Sequence, residues 1–378
     1  MLQLVEGRIE LPALTTAHSH AFQRAMRGRA QRPGPADQDD FWTWRTAMYE
    51  LAATLDPERI YQVSRVAYEE LRLAGVRTVG EFHYIHHQPD GTPYDDRLQM
   101  SEAVIAAARD EGLRICLARV VYHRAGPGKE PEGVQRRFSD ASLDDAIRDV
   151  EELWTRHADA KDVRIGVAPH SVRAVPPSWL GKLAKLADRR HLPLHMHVAE
   201  QPAEVEACLA ETGKRPVQLL ADEGVLSEQF VAVHATHLAP EEAELLGKAG
   251  AFVCLCPTTE RDLGDGLPDA QALVKAGVTL CVGVDSHVLT SPLEDIRAVE
   301  LGERLRTGKR VVLRPSDGKA PAEALWRMGS IAGARACGFD DAGGAIVVDR
   351  AASELMLVAD EDLLDAIVFS GTDRLFVP

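Results

Sequence analysis

Nowhere in the 378 residues does an apolar run approach the roughly 20 residues that span a bilayer. The first residues, Met1-Leu2-Gln3-Leu4-Val5-Glu6-Gly7-Arg8, also lack a basic segment leading into an apolar one. A membrane span and a secretory leader are therefore not expected, and the cytoplasm is the default location. Positive charge is scarce as well: 43 Lys and Arg stand against 58 Asp and Glu, for a formal charge of -15. Such a field repels phosphate backbones and argues against a nucleic-acid partner. Cysteines number six, at 116, 208, 254, 256, 281 and 337, too few and too irregular for a disulfide framework. Reduced thiols are expected, and Cys254-Leu255-Cys256, inside the apolar run 251–256 with no second pair at ligand spacing, reads as buried strand.

What remains is an ordinary globular composition, 45% hydrophobic and 27% charged, with material for one large core. Short apolar or β-branched runs bounded by turns mark eight candidate strands at 9–16, 76–84, 115–122, 163–170, 192–198, 230–234, 251–256 and 279–284. Helical patterns at 57–73, 101–111, 143–156, 177–189, 203–211 and 240–248 separate most of them. Alternation of this kind implies parallel strands, and eight units suit a closed (β/α)8 barrel of the metal-dependent hydrolase type. An open doubly wound sheet is the alternative, but no Gly-x-Gly-x-x-Gly follows a strand. The long connection after the first strand, 23–57, holds a Pro-, Gly- and Asp-rich stretch at 32–40 and the aromatic knot Phe41-Trp42-Thr43-Trp44-Arg45, the pattern of a functional lid. The segments 126–128 and 258–267 read as further loops, and the tail reads as a helix near 321–337 followed by β-rich residues 345–378.

Histidines and carboxylates recur at the ends of these strands. His18-Ser19-His20 places two imidazoles on one side of an extended chain, where both can bind one ion. A second His-x-His, His195-Met196-His197, closes strand five, with Glu200 three residues on, and Asp285 follows strand eight. His18, His20, His197 and Asp285 form a nitrogen and oxygen set suited to zinc, with iron possible. Glu200 has the type and placement of a general acid/base beside a metal-activated water. His234, ending strand six, is placed to orient or polarise that water, while His195 and His237 read as supporting or structural residues. Strand four ends Ala168-Pro169-His170, with no lysine to bridge two metals, so one ion per chain is expected. Arg173 and Arg45 each offer a planar fork for a carboxylate, and Gln23 and Tyr84 can add hydrogen bonds. Together they suggest a small substrate with one or two carboxylates.

Nine segments carry a family resemblance. They are His18-Ser-His-Ala-Phe-Gln-Arg-Ala-Met26, Phe41-Trp-Thr-Trp-Arg45, Glu81-Phe-His-Tyr84, Ala168-Pro-His-Ser171, His197-Val-Ala-Glu-Gln201, His234-Ala-Thr-His237, Cys256-Pro-Thr-Thr-Glu260, Leu263-Gly-Asp-Gly266 and Asp285-Ser-His287. Over roughly residues 9–340 the chain resembles the formimidoylglutamate deiminases of the amidohydrolase superfamily. The resemblance implies zinc-dependent conversion of N-formimino-L-glutamate and water to N-formyl-L-glutamate and ammonia, in histidine degradation. It also implies zinc on His18, His20, His197 and Asp285, proton handling by Glu200, His234 and Asp285, and substrate held by Gln23, Arg45, Tyr84, His170 and Arg173. A homodimer is expected on the same ground. The expected organisation is a catalytic barrel over 9–340 and, from 1–8 and 341–378, the remnant of a small β-sandwich, since only 17 residues precede His18. Ala17 stands where the family commonly has Asn, and Gly283-Val284-Asp285 replaces its Gly-Ser-Asp.

Overall fold

The computed structural model describes residues 1–5, 7–31, 41–315, 318 and 320–377; the stretch 32–40 expected in the lid lies outside them. Two sheets organise the chain. The smaller combines β1 (Gln3–Val5), β2 (Arg8–Pro12) and two strands from the far end of the sequence. The larger is parallel throughout and runs in sequence order: β3 (Leu14–Ser19), β4 (Val76–His83), β5 (Arg114–Val121), β6 (Val163–Pro169), β7 (Leu194–Val198), β8 (Phe230–His234), β9 (Phe252–Leu255) and β10 (Thr279–Val282). The tail returns as β11 (Ala345–Asp349) and β12 (Phe376–Val377), giving the small antiparallel order β1-β2-β11-β12.

The eight-stranded sheet closes just beyond β10. Ser19 pairs with Asp285 as a parallel bridge, the Asp285 N–H donates to the His18 carbonyl at 3.1 Å, and the His20 N–H donates to the Asp285 carbonyl at 2.9 Å. The seam of the barrel is thus made by three residues of the expected metal set. Close approach here requires Gly283, where a Cβ would lie 2.7 Å from the His18 Cβ and carbonyl oxygen.

The run expected as one strand over 9–16 is divided. Arg8–Pro12 alternates, with Ile9 and Leu11 buried, as suits a sheet covered on one face, whereas every residue of Leu14–Ser19 is buried, as suits a barrel strand packed on both. Periodicity alone does not show where the chain leaves one sheet for the other. The tail differs too: between β11 and β12 it forms the helix Leu363–Ser370, which buries Leu363, Ile367 and Val368 at helical spacing. The segment expected as a loop over 258–267 begins as the helix Pro257–Leu263, with proline in its first turn, where the missing N–H costs nothing.

Outer helices follow local sequence closely. Leu143–Arg156 begins at Ser142, whose side chain accepts the Asp145 N–H, a cap worth about 1 kcal/mol. Asp144 and Asp145 complement its N-terminal dipole, and Leu143, Ala146, Val150 and Leu153 bury one stripe on the barrel. Opposite the mouth, Ala322–Arg327 continues through a π-helical turn, Met328–Ala332, to Gly333–Ala336, where the Ala336 carbonyl accepts the His195 Nε2–H at 2.9 Å. That bond gives His195 a structural place. All six cysteines are buried and unbridged. Among the described residues no helix is long and apolar enough to cross a membrane.

Candidate metal centre and active site

Alternation along β3 sends His18 and His20 to the same side of the strand, and β7 delivers His197 beside them. Their Nε2 atoms converge: His18 to His20 is 3.2 Å and His18 to His197 is 3.1 Å. Asp285 Oδ1 completes the set at 3.4 Å from His18 Nε2 and 3.2 Å from His20 Nε2. Zinc bonds to nitrogen and oxygen of about 2.0–2.1 Å, arranged tetrahedrally, place ligand atoms about 3.3 Å apart, so four such atoms fit one ion.

The protonation of the cradle agrees. The Nδ1–H of His20 donates to the Phe82 carbonyl at 3.0 Å, which leaves Nε2 with a free lone pair. Buried Nδ1 atoms of His18 and His197 have no partner among the described residues, so the clustered Nε2 atoms are these rings' polar outlet. Burial lowers His18 to about 3 and holds His197 well below the usual imidazole range, so both rings are neutral donors. Burial alone would raise the Asp285 carboxyl, but the His18 and His20 imidazoles against its Oδ1 keep it well below the ordinary carboxylate range.

Behind the cradle lies a clamp. Ser19 Oγ donates to Glu81 Oε2 at 2.7 Å and accepts the His287 Nε2–H at 2.8 Å, while Glu81 Oε1 accepts the Ala21 N–H at 2.9 Å. This ties the end of β3, bearing His18 and His20, to the loop bearing Asp285. Burial pushes Glu81 up to about 7, against the pull of those hydrogen bonds.

Five non-glycine residues at the mouth, Ala199, His234, Ala235, Asp285 and His287, have positive φ between 50° and 67°. Strain of this kind persists only where surrounding contacts enforce it, and it gathers at functional sites. The His234 turn aims its ring inward. Its Nδ1–H donates to Glu260 Oε1 at 3.3 Å, and its Nε2 stands 3.7 Å from both Glu200 Oε1 and Asp285 Oδ2. Burial opposes the charged imidazolium, but the charge of Glu200, the Glu260 hydrogen bond and the charge of Asp285 outweigh it and raise His234 to about 10. Burial also raises Glu200 above the usual range.

One cavity joins this centre to the expected substrate residues. His20, His197, Glu200, His234 and Asp285 line it together with Gln23, Arg45, Tyr84, His170 and Arg173. Gln23 Nε2 donates to Tyr84 Oη at 3.0 Å. Arg45, on the helix Phe41–Ala52, and Arg173, in the turn after β6, approach the same Trp42 ring at 4.4 and 5.7 Å. Neither guanidinium has an ion-pair partner among the described residues. The structure therefore gathers every residue singled out as ligand, proton carrier or substrate contact. It adds Glu81, Glu260 and His287, which the sequence had shown only as parts of family motifs without a role, and the cavity wall residues Trp44, Tyr49, Tyr122, Phe138 and Leu263. Glu260 could be found from sequence only by knowing that the chain after β9 is a helix returning its fourth residue to His234.

Comparison with known proteins matches this architecture. The amidohydrolase family model fits residues 9–374. Formimidoylglutamate deiminase of Pseudomonas aeruginosa is 37% identical over 97% of this chain and 82% of its own length. A 5-methylthioadenosine/S-adenosylhomocysteine deaminase of Syntrophobacter fumaroxidans is 28% identical over 93% of this chain and 73% of its own. A crystal structure of an amidohydrolase from Brucella melitensis superposes with TM-score 0.87 at 34% identity, covering 98% of this chain and 87% of that one. An adenosine deaminase from Xanthomonas campestris with bound zinc shares the fold at TM-score 0.80 and 22% identity, covering 98% and 78%. The barrel, its four converging ligands and a family match across nearly the whole chain lead to one conclusion: this protein is a member of the amidohydrolase family, metal-dependent hydrolases of carbon–nitrogen bonds that include deaminases.

Proposed function

We propose that the chain is a zinc-dependent N-formimino-L-glutamate deiminase, releasing N-formyl-L-glutamate and ammonia. The observation that carries the substrate is the pair Arg45 and Arg173, two guanidinium groups without carboxylate partners among the described residues, in the cavity that His20, His197 and Asp285 line. Leaving such forks unpaired is costly unless a ligand supplies the anion, and a dicarboxylate supplies two. The 37% identical deiminase points the same way.

His18, His20, His197 and Asp285 would hold the ion, which when bound supplies the Lewis acidity that makes water a nucleophile near neutral pH and offsets the negative charge raising His234. Arg45 and Arg173 bind the glutamate carboxylates, with Gln23, Tyr84 and His170 completing the contacts. That anchoring sets the formimino carbon between the cradle and Glu200. Water adds to this carbon while Asp285 and His234 take its proton, the latter at Nε2, since Nδ1–H is committed to Glu260. Glu200, whose carboxyl burial raises, gives its proton to the imino nitrogen; the hydroxyl proton of the adduct then passes to the same nitrogen as C–OH becomes C=O, the C–N bond breaks, ammonia departs, and the proton first taken from water returns to Glu200.

The test is to incubate zinc-loaded protein separately with N-formimino-L-glutamate, 8-oxoguanine and adenosine and to measure ammonia. Release from the first alone is expected; release from a purine alone would replace this substrate with a ring amidine.

A further inference from the structure

The exit from the helix Pro257–Leu263 carries a further buried carboxyl near Glu200 and His234, on Asp265. Gly264 leaves the helix at φ 72° and Gly266 follows at φ 120°, a backbone course that turns Asp265 inward until it is 3% exposed. Three strand-end loops meet on this residue. Its N–H donates to the Glu260 carbonyl at 3.0 Å, within the segment after β9. Its carbonyl accepts the His237 Nε2–H at 2.8 Å, from the loop after β8. Its Oδ1 accepts from Gln201 Nε2, in the loop after β7, and its Oδ2 has no partner among the described residues.

These contacts bear on Glu200 from both sides. Gln201, held by Asp265, follows it directly. Ala199, which precedes it at φ 50°, donates its N–H to Glu204 Oε1 at 3.1 Å and accepts the His237 N–H at 3.0 Å. Glu200 thus sits at the middle of a short strained turn whose two ends are tied down, and His237 takes part in both ties. The same helix also presents Glu260 to His234. The segment after β9 therefore reaches His234 through Glu260 and the chain beside Glu200 through Asp265.

We propose that Asp265 is a positioning residue for proton transfer, latching Gln201 and His237 so that Glu200 is held at its working distance from His234; this rests on the acid/base role read for Glu200 above. The latch works with a neutral side chain. Burial first, and then the charge of Glu200, pushes the Asp265 carboxyl up to about 8, so a protonated acid with one accepting oxygen is the form that fits. Asparagine offers the same accepting oxygen and the same shape. This separates the latch from its rival, a carboxylate that binds the cationic amidine of the substrate through Oδ2.

The experiment compares Asp265→Asn, Asp265→Ala and Gln201→Ala in the zinc-loaded protein by steady-state kinetics, metal content and hydrogen–deuterium exchange of peptides covering 199–202 and 263–267. Asp265→Asn is expected within about threefold of the parent in kcat, whereas Asp265→Ala and Gln201→Ala each lose up to about 100-fold in kcat, the scale of a misplaced catalytic group, with KM and metal content little changed. Exchange over both peptides should rise in the two alanine variants and not in Asp265→Asn. Equal loss in Asp265→Asn and Asp265→Ala, or a rise in KM alone, overturns the latch in favour of the amidine-binding carboxylate. Unchanged exchange and kcat in Gln201→Ala overturns it outright, and that variant keeps the question answerable if Asp265→Ala does not fold. Should the parent release no ammonia from N-formimino-L-glutamate, the reading of function fails, while the exchange data still decide whether the latch exists.

Discussion

The metal cradle and the arginine wall face each other across one cavity, and they are built in opposite ways. His18 and His197 lie within barrel strands, His20 directly follows one, Asp285 forms the closing bridge of that barrel, and all four are buried. Backbone hydrogen bonds fix where those side chains start, and the neighbouring ring or carbonyl fixes where they end. Arg45 and Arg173 start from a helix behind a long connection and from a turn, are only partly buried, and are steadied by the face of Trp42. On the function proposed above, the cradle would supply chemistry that many substrates can use, and the wall would select among them. Relatives named for purine-derived substrates that match over most of this chain are consistent with a shared cradle behind different walls.

That division can be broken most severely from the cradle side. Asp285→Ala removes a ligand while keeping the backbone bonds of the barrel seam, so the ion should be lost and turnover should fall by at least about a thousandfold, the several kcal/mol that metal charge stabilisation contributes. Elemental analysis beside the ammonia assay checks it; a variant that keeps stoichiometric metal would remove Asp285 from the ligand set. Glu200→Gln should leave the cradle filled and lower kcat by about a hundredfold or more, as loss of a general acid does. Metal loss in that variant would mean that Glu200 is part of the cradle and not its neighbour.

The same division governs what the sequence revealed. A His-x-His pair in a run that must be extended can only point one way, so the cradle was legible from spacing and strand ends. The wall was legible only as residue type, and its pairing over Trp42 depends on how the helix Phe41–Ala52 lies, which no local pattern encodes. Roles carried by contacts between distant segments were hidden: Glu81 reaches Ser19 across 62 positions, and His287 reaches it across 268. The barrel itself was legible because fully apolar strands and amphipathic helices alternate. The split of the first strand and the tail helix Leu363–Ser370 were not, because each depends on which sheet or helix an apolar residue meets.

On the wall, Arg173→Ala should raise KM for the dicarboxylate by about 10- to 100-fold, the worth of hydrogen bonds to a charged group, with metal content unchanged. Loss of metal there would mean the wall and cradle are one structural unit, and the comparison would fail.

The mildest change tests how the cradle is held. Ser19→Ala leaves every ligand in place but takes an acceptor from His287 and a donor from Glu81, while the Ala21 N–H still meets Glu81 Oε1. Partners behind metal ligands typically contribute 10- to 100-fold to affinity, and because the barrel seam still joins His18, His20 and Asp285 through the backbone, the lower end, about 10-fold, is expected. Competition with a chelator measures it. Fully loaded protein should turn over at the parent rate, since Ser19 faces away from the cavity that holds the substrate residues. An unchanged affinity with a lowered Tm would assign the clamp to the fold alone, and the cradle would then owe its geometry entirely to the strands.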